Sequence, residues 1–119
     1  MDRVVLSDAE VLRALRSAGF SFFALKVEDM LSRTRELDDK LLKDKLTEEY
    51  FETQSGFKDS KSSGTRVRVN STYRIIRANR VEDALEMIIN IGTSNSSYVE
   101  KAKEIKHKIE KGEIAVPQY

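Results

Sequence analysis

Apolar residues recur every three or four positions along most of the chain, the spacing of helices that bury one face. After Ser7, Val11, Leu12, Leu15 and Ala18 keep that rhythm. Ser7 and Glu10 stand three apart as a capping box, in which the hydroxyl accepts from the third amide and the carboxylate reaches back. Gly19 follows, and glycine enters the left-handed region that ends a helix at little cost. A first helix is predicted over about residues 8–18.

The rhythm resumes at Ser21 and continues through Phe23, Val27, Met30, Leu31, Thr34, Leu37, Leu41 and Tyr50, with no Pro or Gly between Phe20 and Ser55. Opposite charges four apart, Glu36–Lys40 and Asp39–Lys43, support a helix there. A second helix of about 30 residues would be long for a globular protein. The alternatives are a bend, a break near Asp38-Asp39, or a partner helix packed along it.

Val81, Ala84, Leu85 and Ile88 form the stripe of a third helix ending at Gly92, with Asn79 and Glu82 as its capping box. Ser97 and Glu100 open a fourth, lined by Tyr98, Ala102, Ile105 and Ile109 and stopped by Gly112. Lys106, Lys108 and Lys111 sit in its last turns, where the helix dipole favours cations. Residues 113–119 hold the only proline and read as an extended tail.

Residues 53–72 differ in character. Ser, Gly and Thr dominate the first part, which reads as a flexible basic loop. Arg66-Val67-Arg68-Val69 alternates like a strand, so a short β-hairpin inserted around residues 65–77 is one reading. The other is an early helix start at Thr72, which would put Arg74, Arg77 and Arg80 on one side. The expected architecture is mainly α: one small four-helix domain over residues 1–119 with a long second helix.

Composition narrows the class. Charged residues make up 34% and hydrophobic ones 39% of 119 residues, as in a folded domain able to bury a core. No cysteine is present, so disulfides and thiolate metal sites are excluded. The opening residues Met1–Leu6 turn polar too quickly for a signal peptide to be expected of them, and no run nears the roughly 18 apolar residues of a membrane span. A cytoplasmic protein without membrane contact is expected. Only four Asn, two Gln and three Met amid dense charge tilt toward a thermophilic source.

Enzyme chemistry finds few footholds. The single histidine, His107, lies among lysines, leaving no base for a serine nucleophile. Glycine-rich phosphate loops are absent. Glu104 and His107 match Glu-x-x-His, but the carboxylate-bridged site built on that spacing needs a second histidine. Asp38-Asp39, Glu48-Glu49 and Glu82-Asp83 are neighbours that diverge by about 100° on a helix. No catalytic residue, metal or cofactor is expected.

The strongest asymmetry is basic. Lys58, Lys61, Arg66, Arg68, Arg74, Arg77 and Arg80 face only Asp59 between Phe57 and Arg80. Five of the seven are Arg, suited to bidentate phosphate contacts. Tyr73 lies among them as a stacking platform for unpaired bases. The expectation is a non-catalytic nucleic-acid-binding subunit of a larger assembly, holding the phosphate backbone without reading sequence. The competing partner is an acidic protein surface, and residues 28–56 carry nine acids against five bases. A helix-turn-helix reader fits poorly, because the helix after Gly19 opens with Ser21-Phe22-Phe23-Ala24 and offers almost no base-reading side chains.

Phe20, Phe22 and Phe23 cannot all share one helical face. They mark either core or a protein interface, so a helical adaptor or homodimer is the second functional reading. In general make-up, small, helical and locally basic, the chain resembles the small subunits of CRISPR effector complexes. That comparison is one of kind, and no motif carries it.

Overall fold

The Ser7–Glu10 capping box forms: the Glu10 amide donates to Ser7 Oγ at 3.2 Å and the Ser7 amide to Glu10 Oε1 at 3.1 Å. It opens α1, Asp8–Ala18, which Gly19 closes at a φ of 85°. In the computed structural model, which describes residues 3–55 and 57–119, six more helices follow. They are α2 Phe20–Ser32, α3 Thr34–Asp38, α4 Lys40–Glu52, α5 Ser62–Arg77, α6 Val81–Ile91 and α7 Ser97–Glu110. No strand occurs among the described residues, and no helix there is long and apolar enough to cross a membrane.

The expected long second helix is three helices. Arg33 leaves helical geometry at φ −125°, ψ 32°, and Asp39 is extended at φ −106°, ψ 122°. Asp39 Oδ1 then accepts from the Leu42 amide at 3.1 Å and caps α4. Burial is the physical reason for the breaks. A straight helix of about 30 residues would run about 45 Å, carrying Leu46 and Tyr50 away from any core. The folded-back chain buries both, and Tyr50 meets the Phe22 ring edge-on at 6.1 Å. Arg33 fastens the turn through Glu36, through Glu49 at 2.5 Å and through Asp29 at 3.5 Å.

Residues 65–77, left open between a hairpin and an early helix start, are helical, and the loop expected over 53–72 is helix from Ser62 onward. Thr65, Val69, Thr72, Ile75 and Ile76 are all buried, a helical stripe that the Arg-Val alternation masks. Val67 is 54% exposed while Val69 is buried, so the two valines do not share a strand face.

α5 packs against α1, α2, α4 and α6, and α7 closes the body against α2 and α6. All seven helices contribute to one core, including fully buried Phe22, Phe23, Met30, Ile75, Ile76, Leu85, Ile88 and Ile105. Of the two readings of the Phe20–Phe23 cluster, core or protein interface, burial favours the core. Phe22 and Phe23 have no exposed surface, and half-buried Phe20 sets its ring edge-on to Tyr98 at 6.3 Å.

The capping box expected at Asn79 and Glu82 does not form. α6 starts at Val81 after Arg80, and Asn79 takes a left-handed φ of 59° that frees its side chain for another use.

Candidate nucleic-acid interface

The seven cations of the basic segment separate into three groups. Arg68 and Arg80 are structural. Arg68 Nε lies 3.2 Å from both carboxylate oxygens of Asp59, Nη1 donates to the Ala18 carbonyl at 2.8 Å, and the guanidinium sits over the Phe57 ring. Arg80 pairs with Asp8, contacts Asp83 at 2.5 Å and donates to the Leu6 carbonyl at 2.6 Å, tying the N-terminal segment to α6. Charges spent on carboxylates and helix ends are not offered to a ligand.

Arg66 and Arg74 behave differently. With Asn70 they stand at four-residue intervals on the exposed face of α5, a ridge of about 12 Å. Neither arginine enters an ion pair among the described residues, nor do Lys58 and Lys61, both exposed just before α5. The Glu10 carboxyl feels the field of Arg74, which helps to hold it below its ordinary range after the larger effect of the Ser7 hydrogen bonds. Arg74 thus leans toward α1, while Arg66 leans toward α4.

On the α4 side Arg66 and Asn70 meet Lys40, Lys43 and Asp44 around a groove of about 340 Å³. Three cations and an amide line it against one carboxylate. Lys40 and Lys43 escape a reading by segment charge because they belong to the acidic stretch 28–56. Their three-residue spacing after the Asp39 cap is the one signal that puts them on a common side of α4.

Beyond Lys43 the groove runs into an aromatic cluster. Lys43 Nζ lies 5.1 Å from the centre of the Tyr73 ring, so Tyr73 is not the open stacking platform expected of it. Its hydroxyl donates to Asp38 Oδ1 at 2.6 Å, and Arg77 Nη1 donates back to that hydroxyl at 3.3 Å. The Arg77 guanidinium also lies 4.9 Å from the Tyr119 ring centre, and the Tyr119 hydroxyl reaches Asp38 at 3.1 Å. Burial first, and then the Asp38 hydrogen bond, push the Tyr73 phenol up and the Tyr119 phenol up to about 12. Both phenols therefore stay protonated donors at neutral pH.

Among the described residues no three His, Asp or Glu side chains gather as metal ligands. Glu104, half of the Glu-x-x-His match, pairs with Lys101 at 3.2 Å and Lys108 at 3.4 Å. Neither a known protein family, a curated protein nor a solved structure matches the chain.

Proposed function

We propose that this chain is a non-catalytic nucleic-acid-binding subunit of a larger assembly, and that it grips the phosphate backbone along the α4–α5 groove. The observation that carries the reading is the convergence of Lys40, Lys43 and Arg66 with Asn70 on one cleft, opposed only by Asp44. Two helices from opposite ends of the charge pattern supply it, one acidic on average and one basic. Arg74, Lys58 and Lys61 extend the exposed positive surface along and before α5. The ligand's backbone is read by charge, since the groove offers one amide and no other neutral hydrogen-bonding side chain. A net charge of +1 fits a localised track better than indiscriminate coating.

The test is binding of single-stranded and duplex probes over a range of salt. Lys43→Glu with Arg66→Glu is expected to weaken binding at least about tenfold and to flatten the log–log salt slope by about two. Arg35→Glu with Lys45→Glu, both at exposed positions outside the groove lining, serves as the charge-matched control. Binding that ignores salt, or that Arg35→Glu with Lys45→Glu weakens as much as the groove pair, would overturn the reading.

A second reading rests on Leu41 and Leu42, which α4 leaves 74% and 41% exposed. They are apolar surface available to another protein subunit. Solution mass of the wild type against Leu41→Asp tests for a self-complementary contact; a monomer in both cases removes the homodimer.

A further inference from the structure

Residues 113–119 form no helix or strand, yet Tyr119 at their end is held from three sides. Asn79 clasps its backbone: the Tyr119 amide donates to Asn79 Oδ1 at 2.9 Å, and Asn79 Nδ2 donates to the Tyr119 carbonyl at 2.9 Å. The left-handed backbone of Asn79 sets up this clasp in the short turn between α5 and α6. Arg77 lies against the face of the ring at 4.9 Å, and Asp38 accepts its hydroxyl.

A flat ring on a guanidinium, with an edge donor on a carboxylate, is also how a protein holds an unpaired base. Adenine, cytosine and guanine each carry an amino group that a carboxylate can accept. The place is contiguous with the groove: Lys43 lines the groove and covers Tyr73, Tyr73 touches Arg77, and Arg77 touches Tyr119.

We infer that Tyr119 fills a nucleobase subsite at the end of the phosphate groove, where an unpaired amino-bearing base displaces it to stack on Arg77 and donate to Asp38. This rests on the nucleic-acid reading, and deepens it by adding a base contact to a phosphate track. Leaving requires the arm to lose one ring stack and three hydrogen bonds, and the incoming base restores the stack and the bond to Asp38.

The test compares a single-stranded oligoadenylate with a strand of the same length carrying abasic sites, using the wild type, Tyr119→Ala and Asn79→Gly. Glycine keeps the positive φ at position 79 while removing the clasp, so it frees the arm even where Tyr119→Ala folds poorly. Both variants are expected to favour oligoadenylate over the abasic strand by about fivefold or more beyond the wild-type ratio. Arg77→Gln in either background is expected to cancel that gain. Folded variants that bind the two strands in the wild-type ratio would overturn the inference. Failure of the groove reading has a different signature: abasic-strand binding that Lys43→Glu with Arg66→Glu leaves unchanged.

Discussion

Arg68 reaches from α5 to the last turn of α1 and donates to the carbonyl of Ala18 at 2.8 Å, fifty positions earlier in the chain. The final carbonyls of a helix have no partner within it, so a guanidinium there both satisfies an acceptor and complements the dipole. Gly19 makes the approach feasible, because a Cβ built there would overlap Arg68 Nη1 and the φ of 85° already disfavours other residues. Arg68→Met is expected to cost roughly 2–3 kcal/mol, since it also leaves the mostly buried Asp59 without its cation. Gly19→Ala is expected to cost about 1–2 kcal/mol through backbone strain and displacement of Arg68. Urea unfolding of both single variants and the double tests the shared cause. The double should cost clearly less than the sum, and strict additivity would contradict the link.

Thr72 should be better as valine. Its hydroxyl is buried and makes no hydrogen bond, among fully buried Val69, Ile75 and Ile76. A buried hydroxyl without a partner carries a desolvation cost that its apolar isostere avoids. Both side chains are β-branched, so the helix is indifferent to the exchange. Thr72→Val is expected to raise stability by about 1 kcal/mol, visible as a higher urea midpoint at unchanged slope. A lowered midpoint would show that the hydroxyl has work in the fold.

The four tyrosines should ionise in two classes. A hydrogen bond from the Thr93 side chain, and then the Thr93 amide donating to the Tyr98 hydroxyl at 3.1 Å, favour the phenolate and hold Tyr98 below the ordinary 10.0. Tyr50, Tyr73 and Tyr119 are pushed up by burial and by hydrogen bonds to Asp29 or Asp38. For those three the folded state keeps its proton longer than the unfolded state. The stability they add is full below about pH 10 and drains away as pH climbs toward 12 and beyond. Phenolate absorbance should therefore rise first for one residue, then steeply with alkaline unfolding. Tyr98→Phe should erase the first step alone. A first step that survives in Tyr98→Phe would contradict the assignment.

Helix positions were legible where local chemistry and burial agree. The Ser7 cap and Gly19 mark both ends of α1, and the stripe Val81, Ala84, Leu85 and Ile88 marks the buried face of α6 although its expected cap does not form. α7 begins one residue after Ser96, whose hydroxyl accepts from the Val99 amide, rather than through the expected cap at Ser97. The breaks at Arg33 and Asp39 depend on which distant partners the folded-back chain gains, Glu49 for Arg33 and Phe22 for Tyr50. No periodicity within residues 20–52 encodes those partners, although the Asp38-Asp39 break was visible as an alternative.

α5 hid behind its own first turn. Ser62, Ser63 and Gly64 look like a loop, yet Gly64 packs against Asp59, where a Cβ would come within 3.0 Å of the carboxylate. Asp59 also accepts from Thr65 at 2.8 Å, so the polar run is a helix start organised by one acid. The basic segment was visible as a charge excess, but its division was not. Which arginines turn inward depends on Asp59, Asp8 and the α1 carbonyl, and which lysines join the groove depends on α4 lying beside α5.

α5, which packs against α1, α2, α4 and α6, is the fifth of the seven described helices to leave the ribosome. Until residues 62–77 have emerged, the earlier helices lack Val69, Ile75 and Ile76, three side chains with no exposed surface in the finished core. A nascent chain is therefore expected to complete its core only in the second half of its synthesis. A stall or truncation before α5 would yield sticky debris and not a smaller version of the fold.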